Sequence, residues 1–316
     1  MQIKNSNKAL TEFKQTQKLM GNMFEITVVA ESEIWAYNKI ALAISEISRI
    51  ENLLTTFKEN SQTNLINNNA GIVEVVVDKE VLELIKRSIK ISEITDGAFD
   101  LTYGSLDKSL WNFDKTMTAL PSAETASKMV RLINYKNIVI NNEKCSVFLK
   151  SKGMRIGFGG IGKGYAAEMA KNILIKEGVK SGIVNAAGDL TVWGTQANGN
   201  SWTVGIADPN NANLPFSQLS LSNMAIATSG NYEKYIIING KQYSHTINPK
   251  TGLPVTGIKS VTTISPNAEI ADAMATPITI MGIKAGINLV NQINQLECII
   301  IDDFNKIYSS KNINLT

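Results

Sequence analysis

The chain has 316 residues, 44% of them hydrophobic, which is enough to bury a large core and long for one average domain. Its 31 basic and 28 acidic residues leave a net charge of +3, so no strong field selects nucleic acid or an anionic membrane, and no nucleic-acid partner is expected. The start, MQIKNSNKALTEFKQTQKLMG, has no apolar core, and no stretch reaches the ~18 apolar residues of a membrane span, so the chain as written reads as cytoplasmic. The same residues behind a removed leader would be periplasmic or membrane-anchored.

Residues 1 to 13 read as a polar tail and 14 to 316 as the folded domain. Alternation of Phe24, Ile26 and Val28 predicts a strand over 22 to 31. Ile40, Ala43, Ile44, Ile47, Ile50 and Leu54, at spacings of three and four, predict an amphipathic helix from Glu33 to Phe57. GIVEVVVD is a second strand, and Lys79 to about Thr95 a second helix. Pro121 and Ser122 open a short helix ending near Leu132, and NIVINNEKCSVFLK reads as a hairpin turning at Asn141 and Asn142.

A helix from Lys163 to Glu177 is stopped by Gly178. Strands are expected at 181 to 185, 189 to 193, 202 to 207, 224 to 228, 234 to 238 and 242 to 247, with LPFSQLSLSN as a surface loop. The end predicts a strand (258 to 264), helices over 268 to 281 and 283 to 294, and the strand ECIIIDD. Strands and helices mix without regular βαβ alternation, so the class is α+β. Cys145 and Cys298 lie in strand-like apolar runs without CxxC spacing and read as buried reduced thiols.

IADAMATPITIMG places Asp272 one helical turn before Thr276 among small side chains, so two oxygens can converge on one point. Pro277 cannot bond the carbonyl of Ala273, and such hard oxygens suit Mg²⁺ or Ca²⁺; from this stretch alone, capping or an ion pair is the simpler explanation of Asp272. In IGFGGIGKGYAAEMA, five glycines cluster at the entry to a helix whose free N–H groups, with Lys163, suit a phosphate, while a tight packing turn is the alternative. Lys163 is not followed by Ser or Thr, so this is not a P-loop. The only histidine, His245, stands in HTINP and is either a general base or an ordinary structural residue. TDGAFDLTYGSLDKSLW lines a pocket or is a polar loop, and VNAAGDL reads as a hairpin turn.

Taken in order, LMGNMFEITV, TDGAFDLTYG, GGIGKGYAAE, VNAAGDL, ATSGNYEKY, SHTINPKTGLPV and SVTTISPNAEIADAMAT resemble the motifs of the FAD:protein FMN transferases, the ApbE family, from residue 14 to the C-terminus. The resemblance implies an α+β, T-fold-like arrangement of mixed sheets packed with helices, FAD as substrate and a divalent cation, usually Mg²⁺. It implies transfer of FMN from FAD to a Thr or Ser hydroxyl of an acceptor protein, a membrane redox subunit or a soluble flavin reductase, with release of AMP. Matched by motif, Asp272 and Thr276 would be side-chain metal ligands and Gly160 would offer its backbone carbonyl. Met20, Phe57, Ala98, Phe99 and Asp100 match flavin- or nucleotide-contacting positions, and Lys163, Thr246 and Ile247 match positions lining the FAD site. His245 matches the histidine associated with catalysis in H-x-I-D-P and is the first candidate for the base that takes the acceptor proton, with Asp100 second.

Gly157 and Asn248 stand where the family often has Asp, which removes two acids beside the expected ligand site. Two other outcomes remain open on sequence. Water as the acceptor would make the protein an FAD pyrophosphatase giving FMN and AMP, and a site disabled by the missing acids would leave a non-catalytic flavin-binding protein.

Overall fold

The computed structural model describes residues 9–107, 119–208, 211–231, 235–238 and 240–313. Its first strand lies where the sequence is polar. β1 (Thr11–Leu19) pairs antiparallel with β2 (Asn22–Ala30), so Thr11, Glu12 and Phe13 are strand, not tail. β1 is an edge strand with mostly exposed polar side chains, and therefore lacks the apolar alternation by which β2 is recognised.

α1 (Glu33–Leu54) is capped by Ser32 and buries Ala36, Ile40, Ala43, Ile47, Ile50 and Leu54 as one stripe. It stops short of Phe57 because Thr55 is extended. α2 (Gln62–Asn68) follows, a helix absent from the sequence reading, and GIVEVVVD contributes only β3 (Val75–Val76). α3 (Lys79–Ile94), α4 (Ala123–Met129), and the hairpin of β4 (Ile138–Asn141) and β5 (Ser146–Leu149) are formed as expected, but α4 ends at Met129, short of Leu132, and the hairpin turns over residues 142 to 145, with Asn141 still paired to Ser146. Cys145 sits half-buried in that hairpin's turn, whereas Cys298 is buried; both are free thiols.

The second half contains α5 (Gly162–Lys176), β6 (Gly182–Ala186), β7 (Asp189–Trp193), β8 (Trp202–Asp208) and β9 (Asn211–Leu221). β10 (Met224–Gly230), β11 (Tyr235–Ile238), β12 (Lys241–Ser244) and β13 (Ile258–Ser265) follow. α6 (Ala268–Met281), α7 (Ile283–Val290), β14 (Glu297–Asp302) and β15 (Ile307–Ser309) complete the chain. LPFSQLSLSN is thus largely strand: β9 pairs with β8 and absorbs Pro215 at an irregularity in the register.

The main sheet runs β1-β2-β6-β7-β10-β13-β14-β15, each neighbour antiparallel to the next. The pleat divides its side chains between two layers. Phe24, Ile26 and Val28 face the large core shared with α1, α5 and α6, while Val29 joins Val192, Ile226 and Ile264 beneath Trp202 and Val204 of the β8 and β9 ribbon. No helix among the described residues is long and apolar enough to cross a membrane.

α5 and α6 cross at Gly164. A methyl group there would lie 2.2 Å from the carbonyl oxygen of Ala268 and 2.5 Å from Cβ of Asp272, so this helix pair closes only over glycine. Gly164→Ala is expected to lower stability by about 1–3 kcal/mol, the usual range for overpacking, read as a lower urea midpoint. An unchanged midpoint would show that the crossing is looser than described.

Candidate active site

A cavity of about 760 Å³ opens at one end of the helix layer, and every site residue selected from the sequence lines it except Asp272. Met20 comes from the β1–β2 turn, and Ala98, Phe99 and Asp100 from the GAFD turn after α3. Gly160 and Lys163 belong to the glycine-rich entry to α5, and Thr276 to α6. His245, Thr246 and Ile247 come from the loop after β12.

Phe57 is 96% exposed, so core packing is not its role. Its loop is nevertheless pinned: Asn64 Nδ2 donates to the carbonyls of Thr56 and Lys58, at 2.9 Å each, and Ser61 Oγ donates to that of Thr55 at 2.6 Å. A rigid loop thus presents an aromatic face at the cavity wall, where a planar ring can stack.

The HTINP loop is built by its neighbours. The backbone N–H of Ile247 donates to Tyr103 Oη at 3.3 Å, and Val255 N–H donates to the Thr246 carbonyl at 2.9 Å. Burial pushes the Tyr103 phenol up to about 12, so it stays neutral. Thr246 Oγ1 donates to Asn231 Oδ1 at 3.1 Å, and Asn231 Nδ2 donates to the Ile258 carbonyl at 2.8 Å, tying the loop to the start of β13. His245 remains exposed on this fixed loop.

Asp100 is buried, and both of its oxygens have partners. Oδ1 accepts from the N–H and Oγ1 of Thr102, at 2.8 and 2.6 Å, and Oδ2 accepts from Tyr135 N–H at 2.9 Å. Burial raises its pKa, and these hydrogen bonds oppose the rise. The arrangement suits an anchor for the GAFD turn better than a base.

The opening turn of α5 corrects one expectation. Its N–H groups are not free for a phosphate: Gly162 donates to the Phe158 carbonyl, Tyr165 to that of Ile161, and Lys163 and Gly164 to the Asp272 carboxylate, the last at 2.8 Å. Asp272 therefore caps α5 from α6, at the positive end of the helix dipole. Burial, reinforced by the charge of Asp189, raises the Asp272 pKa, while Lys163 and the two N–H groups oppose the rise.

These donors fit a hard divalent cation. Two buried carboxylates, Asp272 and Asp189, lie close to one ammonium, that of Lys163, and a cation beside Asp272 would favour its ionised form. Thr276, one turn along α6, lines the cavity with a hydroxyl that makes no hydrogen bond within the described residues. Among those residues no cluster of three or more His, Cys, Asp or Glu is arranged to hold a metal. A cation here would draw on one carboxylate, a hydroxyl, a backbone carbonyl, water and substrate oxygens, a set usual for Mg²⁺.

The two departures from the family pattern differ in kind. Asn248 does not line the cavity; its Oδ1 accepts the Lys250 N–H at 2.9 Å, a turn contact that amide and carboxylate make alike. Gly157 does line it, and a side chain there would meet only Gly104 Cα, at 3.9 Å, so the glycine leaves open space in the wall. Residues 108 to 111 of the TDGAFDLTYGSLDKSLW stretch lie outside the described residues.

Asp189, Tyr103 and Asn231 were not selected from the sequence. VNAAGDL does form the expected hairpin, turning at Ala187 and Gly188 with φ of 55° and 100°, and nothing in that local pattern reveals that Asp189 reaches Lys163. Thr246→Val would remove the hydroxyl that satisfies buried Asn231 Oδ1. The expected loss is about 1–3 kcal/mol, read as a lower melting temperature, and unchanged stability would remove this contact from the account.

A family model described as the ApbE family matches residues 20–300. An FAD:protein FMN transferase of Klebsiella pneumoniae (strain 342) is 29% identical over 285 residues, covering 90% of this chain and 87% of the relative. The crystal structure of the ApbE protein from Thermotoga maritima matches with a TM-score of 0.85 at 30% identity, over 95% of this chain and 97% of that one. The apo Pseudomonas stutzeri flavinyl transferase ApbE shares the fold, with a TM-score of 0.81 at 24% identity over 98% and 96% of the two chains. The chain belongs to the ApbE family.

Proposed function

We propose that this protein is an FAD:protein FMN transferase that moves FMN from FAD to a Thr or Ser hydroxyl of an acceptor protein and releases AMP. The observation that carries the reading is convergence: His245, Lys163 and Thr276, from three separate elements, meet on one cavity with Asp272 directly behind. The family relatives named FAD:protein FMN transferase support the same chemistry. The acceptor would be a membrane redox subunit or a soluble flavin reductase that exposes its hydroxyl at the cavity mouth.

The acceptor oxygen forms a bond to the phosphorus on the FMN side, the bond from that phosphorus to the bridging oxygen breaks, and AMP departs with the bridging oxygen. His245, exposed on its braced loop, takes the hydroxyl proton. Lys163 offers positive charge to the diphosphate, and Phe57 offers a face to a ring of FAD. Mg²⁺, held by Asp272, Thr276 and the Gly160 carbonyl, would supply charge neutralisation for the diphosphate.

Asp272→Asn retains an oxygen to cap α5 but halves the buried negative charge. With FAD, MgCl₂ and an acceptor domain, AMP release followed by chromatography is expected to fall at least tenfold in a folded protein and to recover partly at high Mg²⁺. Wild-type turnover at low Mg²⁺ would remove the metal assignment. His245→Gln should lower the turnover rate by about 10²–10⁴ with FAD affinity retained, the range for loss of a general base; a change confined to FAD affinity would assign His245 to binding instead.

A further inference from the structure

Asp189 does not line the cavity, yet it makes two contacts that bear on it. Its Oδ1 accepts the backbone N–H of Thr228 at 3.1 Å, and its Oδ2 is paired with Lys163 Nζ. The carboxylate is fixed by its surroundings. Asp189 opens β7 directly after a two-residue turn, β7 lies between β6 and β10 in the middle of the main sheet, and Thr228 belongs to β10.

Lys163 is the adaptable member of the pair. Its long side chain leaves the first turn of α5, is 28% exposed, and is flanked by Gly162 and Gly164, which offer no side chains to steer it. An unsupported lysine samples many rotamers, and ordering it for a single contact carries an entropic penalty.

We propose that Asp189 is a positioning residue that aims the Lys163 ammonium at the place of the FAD diphosphate. The proposal rests on the transferase reading. Asp189 acts through Lys163 and touches no reacting atom. Its own negative charge opposes the approach of the diphosphate, so ground-state binding and turnover should respond in opposite directions when that charge is removed.

The test is a double-mutant cycle of Asp189→Asn and Lys163→Met, reading FAD affinity by flavin fluorescence without acceptor and turnover by AMP release with acceptor. Asn can still accept the Thr228 N–H, and melting temperatures report whether each variant keeps its fold. Asp189→Asn is expected to bind FAD as tightly as the wild type or more tightly, while turnover falls at least tenfold. In the Lys163→Met background the same change should have little further effect on turnover, because its target is gone. Equal turnover losses in both backgrounds, or a loss that tracks a lowered melting temperature, would reduce Asp189 to a structural residue and overturn the proposal. A wild-type protein that binds FAD and releases no AMP would overturn the transferase reading, and the proposal with it.

Discussion

The carboxylate of Asp272, buried where α5 and α6 cross, is the contact on which the rest of the site depends. The crossing is close because Gly164 has no side chain, and that closeness lets an acid on one helix accept the first N–H groups of the other. Capping fixes the direction in which α5 leaves the glycine-rich turn, and so fixes Gly160 and Lys163 at the cavity wall. One residue thereby joins a packing constraint to an electrostatic one. Burial makes its charge costly, and a cation beside it would relieve that cost.

Around this point the fold brings together segments from both halves of the chain. The helix layer needs the main sheet on one side, and the sheet's other face is covered by the β8 and β9 ribbon. Rigid supports then carry the exposed groups: Tyr103 and Asn231 brace the loop of His245, and Asn64 braces that of Phe57. Exposed chemistry on fixed loops is what positional catalysis of group transfer requires.

Much of this was legible in the amino-acid sequence. The stripe of α1, the strand β2 and the helix α6 could be read locally, because each depends on spacing within one segment, whereas cavity-lining residues such as Met20, Phe57 and Thr246 were reached only through the resemblance to the ApbE family. β1 was hidden because an edge strand need not alternate, and β9 because Pro215 and its polar neighbours imitate a loop. Free N–H groups at α5 were a reasonable inference from the glycines; the partner that takes two of them lies 108 residues away from Gly164. The Asp189 pairing with Lys163 was unreadable for the same reason, since it depends on sheet order and not on pattern.

The most direct measurement incubates the protein with FAD, MgCl₂ and an acceptor domain carrying an exposed Thr, and follows the intact mass of the acceptor together with AMP. Transfer predicts that each AMP released is matched by one FMN group gained on the acceptor, and that replacing the acceptor Thr with Ala abolishes both. AMP accompanied by free FMN, with the acceptor mass unchanged, would contradict the account and make water the acceptor.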